Sequence, residues 1–317
     1  MTNSANPWAV MPESSQRRID YETPHNLFWI KEARGNYGFC LQTNNGDFID
    51  ENKIKLRGIS ILRRNSAENK IELFLILNKS EDWEIFLALC EDLVKVAKRS
   101  QTDAEMINAV ENRLNRWQQL LRTQRSYEFT VERQMGLFTE LICLRDFVIK
   151  KVGVKQAINS WVGPESDKQD FLLEDAAIEV KSHRTSKGAF AFISSYHQLN
   201  SEKEPLYLFS YALTSAENGK SVEDIAQNIR TLVPEDSIEI IDTFEYKLIE
   251  YGYIPELVKE PLQRFIVDRV KAYHISNGFP RISITELKSQ IIDIKYVIDL
   301  SKCDSFEVQI NSLLNSG

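Results

Sequence analysis

A hairpin-like segment near the middle of the chain carries an acid and a base on one face. The segment DFLLEDAAIEVKSHR, residues 170–184, reads as two short strands joined by a polar turn. In its second strand Glu179 and Lys181 alternate with apolar residues, and because side chains repeat every two residues along a strand, the two share one side. The pattern indicates either an exposed salt pair or a site that needs charges of both signs.

Two further carboxylates belong with this pair. Asp170 opens the first strand of the hairpin. Upstream, residues 131–151 predict a helix, and Glu140 falls within its apolar stripe. The stripe consists of Leu137, Leu141, Leu144 and Val148. A carboxylate in such a stripe is expected to be buried, and burial of an unpaired charge is expensive, so Glu140 needs a partner.

Carboxylates that converge at one end of a sheet make an oxygen-rich site suited to Mg²⁺. The ammonium group of Lys181 would orient an attacking water or offset the negative charge of a phosphoryl transition state. Phosphodiester hydrolysis needs this combination, because a metal must polarise the phosphoryl oxygen and activate the water. The candidates for such a site are Asp170, Glu179, Glu140 and Lys181, and two or three converging carboxylates would hold Mg²⁺, or Mn²⁺ as a substitute.

The same residues carry a family resemblance. Asp170 followed by Glu179-Val180-Lys181 resembles the D-x(n)-(D/E)-x-K signature of the PD-(D/E)XK nuclease superfamily. The segments GLFTEL, QDF, IEVKS and ISSYHQL look like the bacterial group called PD-(D/E)XK motif proteins, which occur beside restriction-modification genes. Gln169 stands where the signature has its proline. The resemblance covers residues 131–213 and implies Mg²⁺-dependent DNA cleavage in a restriction or phage-defence setting, with Lys181 as the catalytic lysine.

DNA contacts are predicted beside this site. The loop KSHRTSKG supplies His183, Arg184 and Lys187 as phosphate-binding candidates, and Gln198 lies where the wider superfamily has a polar residue that faces the site. A second candidate surface is a basic stretch interleaved with aromatic residues. Its arginines are Arg113, Arg116, Arg122, Arg125 and Arg133.

The order of elements predicts an α/β protein, of mixed α+β type, with a restriction-endonuclease-like αβββαβ core. The predicted regions are a β-rich part with two helices at residues 1–125, the nuclease-like core at 126–220, and a mainly helical part with terminal strands at 221–317. Within these regions a strand is expected near residues 157–161, and helices are expected to dominate from 221 to about 270.

The composition of the chain limits which partners and which location are expected. The net charge of −7 and the pI near 5.4 exclude a protein coated in basic surface, so DNA binding must come from a local patch. No apolar run approaches the ~20 residues of a membrane helix, and no secretion signal begins the chain, so a cytoplasmic location is expected. The cysteines Cys40, Cys90, Cys143 and Cys303 lack metal-binding spacing and are expected to be buried thiols.

Three alternatives stay open at this stage. Glu179 and Lys181 could be an exposed pair worth less than ~1 kcal/mol. The chain could be a non-catalytic DNA-binding or scaffold subunit of a restriction complex, or a metal-dependent hydrolase of another phosphoester. The sequence does not decide between a homodimer, a complex with other restriction-modification subunits, and a protein that acts alone.

Overall fold

The computed structural model describes most of the chain. The described residues are 6–19, 23–43, 54–65, 70–123, 129–165, 168–234, 237–255, 258, 261–283, 288 and 290–314. They form two units, one comprising Met1–Tyr127 with Ile254–Lys259 and the other comprising Glu128–Tyr253 with Glu260–Gly317. We refer to them as the first and the second unit.

The first unit contains an antiparallel sheet and two helices. Its strand order is β1-β2-β3-β5-β4, and the strands are β1 Ser15–Arg18, β2 Asn26–Lys31, β3 Tyr37–Thr43, β4 Ile59–Asn65 and β5 Ile71–Leu77. The helices are α1 Trp83–Arg99 and α2 Asp103–Thr123. Phe86, Leu89 and Leu93 recur at helical spacing on α1 and are completely buried. The predicted β-rich region with two helices is confirmed.

The second unit begins with the long helix that carries Glu140. Helix α3, Val131–Cys143, starts where the Thr130 side chain accepts a hydrogen bond from the Arg133 backbone. It continues through one π-helical stretch, Leu144–Val148, into α4, Ile149–Val152. The whole predicted apolar stripe is buried, and Glu140 is buried with it. Helix α5, Val154–Ser160, follows Gly153, whose φ of 80° suits the reversal between two helices.

A five-stranded mixed sheet forms the centre of the second unit. Its order is β12-β10-β9-β7-β6, with β7 and β9 parallel and the other pairs antiparallel. The strands are β6 Phe171–Leu172, β7 Ala177–Arg184, β9 Leu206–Lys220, β10 Phe265–His274 and β12 Glu307–Val308, while β8 Phe190–Ile193 and β11 Tyr296–Asp299 form a separate antiparallel ribbon. The mixed α/β class is confirmed, and the order of the core is a helix, the strands β6 to β8, the short 3-10 helix Tyr196–Leu199 and strand β9.

The two faces of this sheet have different surroundings. On one face Phe209 of β9 contacts Phe147 of the long helix, with ring centroids 4.8 Å apart. The opposite face carries Glu179, Lys181 and His183 of β7, and we call it the site face. The ribbon β8–β11 covers only the apolar end of the site face, where Ala191, Ile193, Leu208 and Tyr273 share one buried cluster.

The last helices complete the second unit. Helix α6, Val222–Leu232, begins at a capping box formed by Ser221 and Asp224. Helix α7, Ile238–Tyr251, ends at Gly252, whose φ of 98° is the left-handed conformation usual after a helix. A short helix, α8, spans Ile310–Leu314.

Two local predictions were wrong. The predicted strand near residues 157–161 is mostly helix α5, because Gly153 breaks the preceding helix and lets a new one start at once. Residues 265–270, predicted as helix, belong to β10, which pairs with β9 over nearly its whole length. A partner strand distant in sequence therefore decided the conformation of that segment.

Two findings concern composition. All four cysteines are free and buried, as predicted. No helix within the described ranges is long and apolar enough to cross a membrane.

Candidate active site

Asp170 is fixed at the junction of three segments. Its backbone nitrogen donates to the Ile178 carbonyl at 3.1 Å, and its carbonyl accepts from the backbone nitrogens of Val162 and Gly163 at 2.9 and 3.0 Å. Its side-chain Oδ2 accepts from the Val180 backbone nitrogen at 2.7 Å. Asp170 therefore links residues 162–163 to the strand that carries Glu179 and Lys181.

Glu179 and Lys181 form a buried ion pair with spare acceptor capacity. The Lys181 Nζ donates to Glu179 Oε1 at 2.5 Å, and the Glu179 side chain is 1% exposed. The other oxygen, Glu179 Oε2, is buried and has no hydrogen-bond partner among the described residues. Such an oxygen is costly unless a cation, a proton or a water meets it.

Glu140 joins the site from α3. Its Oε2 accepts a hydrogen bond from the indole Nε1 of Trp161 at 2.8 Å, and Tyr251 also hydrogen-bonds to this carboxylate. A Cβ atom added at Gly163 would lie 2.8 Å from Asp170 Oδ1 and 3.0 Å from Glu140 Oε2. The two carboxylates therefore turn oxygens toward the same point beside Gly163.

The electrostatics of the cluster follow from its burial and its excess of negative charge. Burial, reinforced by the charge of Asp170 and opposed by Lys181, raises the pKa of Glu179 to about 8. Burial raises the pKa of Asp170, which Lys181 and the Val180 amide partly offset. Burial and the neighbouring Asp170 raise the pKa of Glu140 well above its usual range. Burial alone would lower the pKa of Lys181, but Glu179 and Asp170 outweigh it, so the ammonium stays charged.

The donor set suits a hard divalent cation, although the oxygens are not preassembled. Glu179 Oε2, Asp170 Oδ1 and Glu140 Oε2 are carboxylate oxygens of the kind Mg²⁺ prefers. In the described part of the chain, no group of three or more His, Cys, Asp and Glu side chains is already placed to hold a metal. The residues fit Mg²⁺ in chemistry, and binding would require their side chains to move.

The predicted DNA-contacting residues lie in different places. His183 lies on the site face, and its Nδ1 is 3.3 Å from Ser210 Oγ; burial and the nearby Arg269 lower its pKa. Arg184 and Lys187 are exposed, but by alternation Arg184 belongs to the face opposite Lys181. The Gln198 side-chain oxygen accepts from the backbone and hydroxyl of Ser194, so that oxygen serves its own loop.

The arginine-rich stretch is not one surface. Arg113 is buried, with its Nε 3.3 Å from Asp92 Oδ2 in the first unit. Arg133, in the second unit, donates to the Tyr251 carbonyl at 2.7 Å. Arg125 and the side chain of Arg122 lie outside the described residues.

Residues that the sequence did not single out hold the site in place. Lys247 of α7 is buried; its Nζ donates to the carbonyls of Trp161 and Asn159 and lies 2.7 Å from Glu165 Oε1. It thereby fixes the strap of residues 159–165, which carries Trp161 and Gly163. Gln169, in the position of the signature proline, donates to the His197 carbonyl at 2.9 Å. No sequence signal marks Lys247, whereas a tryptophan between two candidate acids could have drawn attention.

Comparison with known proteins gives one family match. The model of the family DUF4420, described as "Putative PD-(D/E)XK family member", matches residues 3–301. No curated protein and no solved structure gives a significant match to the chain.

Proposed function

The chain belongs to the DUF4420 family of PD-(D/E)XK proteins, and on that premise we propose that it hydrolyses DNA phosphodiester bonds with Mg²⁺ in restriction or phage defence. Mn²⁺ is the expected substitute. The observation that carries the proposal is the buried cluster in which Asp170, Glu179 and Glu140 meet the single ammonium of Lys181. Strongly perturbed carboxylates of this kind are typical of functional sites.

Each residue has a proposed role. Asp170, Glu179 and Glu140 would hold the metal, which when bound polarises the phosphoryl oxygen and activates a water. Lys181 keeps its positive charge at neutral pH and offsets negative charge that develops on the phosphate. Trp161 orients Glu140 by its hydrogen bond, and the Val180 amide orients Asp170.

The DNA is expected to lie over the loop after β7. Lys187 and Arg184 are exposed cations that can neutralise phosphates, and His183 lies on the same face as Lys181. Gln198 contributes through its amide nitrogen, because its oxygen is occupied by Ser194. The proposal includes a cytoplasmic location. A second copy of the chain and other restriction-modification subunits are the proposed partners, and co-purification would test for them.

The alternative is a non-catalytic DNA-binding or scaffold subunit of a restriction complex. One observation favours it: no ready-made group of metal ligands exists among the described residues. Against it stands the unpartnered oxygen of Glu179, since a subunit without catalysis gains nothing from buried like charges.

The test is cleavage of plasmid DNA with Mg²⁺ or Mn²⁺. We expect Asp170→Asn and Lys181→Gln to lower the rate at least ~100-fold while the protein stays folded, because each change removes transition-state stabilisation. Glu174→Gln, an exposed acid on the same hairpin, and Lys150→Gln, an exposed lysine on α4, are the matched controls and should cleave like wild type. Equal cleavage by wild type and Asp170→Asn would identify the nuclease signal as contamination.

A further inference from the structure

A cavity of about 450 Å³ lies on the site face next to Lys181. Strand register places Lys181 beside Ser210 of β9, and one two-residue step further places His183 beside Ala212. His183, Ser210 and Ala212 all line the cavity. Two residues of a strand advance about 6.6 Å, so the cavity is roughly one nucleotide away from the proposed reaction site.

A β-bulge turns two consecutive residues of β10 into this cavity. The pairing of β10 with β9 shifts between Val267 and Arg269, which leaves Asp268 as the extra residue. In a regular strand Asp268 and Arg269 would point to opposite faces, but here both line the cavity. Asp268 Oδ2 accepts from the hydroxyls of Thr185 and Thr214 and so ties the residue that follows β7 to the middle of β9. Bulges that re-aim side chains are over-represented beside active sites.

Among the charged side chains that line the cavity, Asp268 and Arg269 have no ion-pair partner in the described part of the chain, and Asp268 is held by two hydroxyl groups instead. Lys271 is held by Asp304 at 3.1 Å and Glu307 at 2.6 Å. Arg269, in contrast, is exposed, and the described residues offer it no hydrogen bond or ion pair. Its guanidinium group is therefore available to bind an anion. A guanidinium with this freedom suits a phosphate, which it can bind through two parallel hydrogen bonds.

The remaining lining suits a nucleobase and its sugar. Ala189, Ala212 and Leu300 give apolar contact, while Ser210, Ser301 and His183 offer hydrogen bonds. A volume of about 450 Å³ lies within the usual range for small-molecule sites and is far too small for duplex DNA.

We infer that this cavity binds one nucleoside monophosphate unit, with its phosphate on Arg269 and its base among the apolar and hydroxyl side chains. The preferred source is a nucleotide of the bound DNA strand whose base leaves the stack next to the cleaved bond, and this part rests on the proposed function. Extrusion of one base costs the stacking and pairing of that base, which contacts in such a cavity can offset. The other source of the same chemistry is a free nucleotide.

The first experiment needs neither metal nor cleavage. Deoxynucleoside monophosphates are titrated into the full-length protein by calorimetry, with inorganic phosphate as the probe that lacks a base. We expect saturable binding that inorganic phosphate does not match. Arg269→Ala should weaken it about tenfold or more, because a hydrogen bond to a charged group is lost. Lys150→Ala, on a helix packed against the opposite face, should bind like wild type. Absence of monophosphate binding, or an Arg269→Ala variant that binds equally well, overturns the inference.

The second experiment separates the two sources. A series of duplexes carries 2-aminopurine at successive positions around the cut. Its fluorescence should increase on protein binding at one of these positions, and Arg269→Ala should abolish the increase. Monophosphate binding without any increase in 2-aminopurine fluorescence assigns the cavity to a free nucleotide instead. The outcomes are independent of the nuclease proposal: monophosphate binding by a protein that never cleaves DNA leaves the cavity standing, whereas cleavage without monophosphate binding removes the cavity alone.

Discussion

Each unit contains a carboxylate that accepts a hydrogen bond from a tryptophan indole, Asp92 partly buried and Glu140 buried, and the two sites differ in what surrounds that carboxylate. In the first unit Asp92 accepts from Trp117 at 2.8 Å and lies 3.3 Å from the Arg113 guanidinium. In the second unit Glu140 accepts from Trp161 at the same 2.8 Å, but its charged neighbours include Asp170 and Glu179. We call these the matched site and the crowded site.

The difference teaches how to tell a structural buried charge from a functional one. In the matched site an acid lies beside a base and their charges offset each other, so its charge balance calls for no ligand. Like charges that crowd together destabilise the folded state, and a protein retains them where a ligand or a reaction uses them. Both sites hold a carboxylate bound by a tryptophan indole, and the balance of charge separates them.

The largest expected effect is at the matched site. Arg113→Met should lower the free energy of unfolding by about 3 kcal/mol, because it leaves Asp92 largely buried without its cation. Urea unfolding measures this. Lys79→Met is the control in the same unit, since Lys79 is 73% exposed and should change stability by less than about 0.5 kcal/mol. Similar values for both variants would mean that the matched site contributes nothing.

At the crowded site the effect should have the opposite sign and should depend on pH. Because the folded-state pKa of Glu179 is about 8, against an ordinary 4.5, the folded protein binds its proton more tightly than the unfolded chain. Stability from this group is full below about pH 4.5 and is lost as pH rises toward 8, on the order of 1 kcal/mol per pH unit. Glu179→Gln should flatten this slope and be more stable than wild type at pH 8. Unfolding curves from pH 5 to 9 in metal-free buffer give the answer, and parallel slopes would argue against a crowded site.

The next prediction compares the replacement of each of the two tryptophans by phenylalanine. Trp161→Phe removes the donor that favours the charged form of Glu140, so Mn²⁺ affinity should fall about tenfold. Trp117→Phe removes the equivalent hydrogen bond to Asp92 and should leave Mn²⁺ affinity unchanged. Calorimetric titration compares the two. Equal losses would point to a general loss of stability as the cause.

Much of the crowded site could be predicted from the sequence, because the patterns that point to its residues involve only neighbouring positions. The two-residue alternation of β7 placed Glu179 and Lys181 on one face, and the helical period of α3 placed Glu140 in a buried stripe. Asp170 followed from its position before a strand. These are properties of neighbouring residues, so sequence reasoning could reach them, and their joint role at a metal stays a prediction.

Contacts between segments that are distant in the sequence could not be predicted from patterns of neighbouring residues. Lys247 supports the strap 159–165 from a helix more than eighty positions away, and no spacing rule connects them. The bulge that aims Arg269 into the cavity exists only because β10 pairs with β9, and β10 itself was partly taken for helix. Arg113 was placed among DNA-binding arginines because its buried partner Asp92 lies on another helix.

The smallest expected effect concerns DNA affinity. Arg184→Glu and Lys187→Glu should each reduce the slope of log affinity against log salt concentration by about 1, because each removes a phosphate contact and the counterion it releases. Fluorescence anisotropy with a labelled duplex measures the slope. Lys79→Glu, in the first unit, is the charge-matched control. Slopes that do not change would move the DNA-binding surface away from the loop after β7.

The central claim is that Asp170, Glu179 and Glu140 form a metal site, and a thermal melt with and without divalent ions tests it most directly. A cation that binds only the folded protein, at ~100 times its dissociation constant, stabilises it by about 2.7 kcal/mol, so Mg²⁺ or Mn²⁺ should raise the melting temperature clearly. Asp170→Asn should melt higher than wild type without metal and respond less to the ion, because one of the crowded charges is gone. Asp92→Asn should be less stable and keep the full metal response. A wild type indifferent to millimolar Mg²⁺ and Mn²⁺, with a metal-free stability that Asp170→Asn leaves unchanged, would contradict the metal site and favour the scaffold alternative.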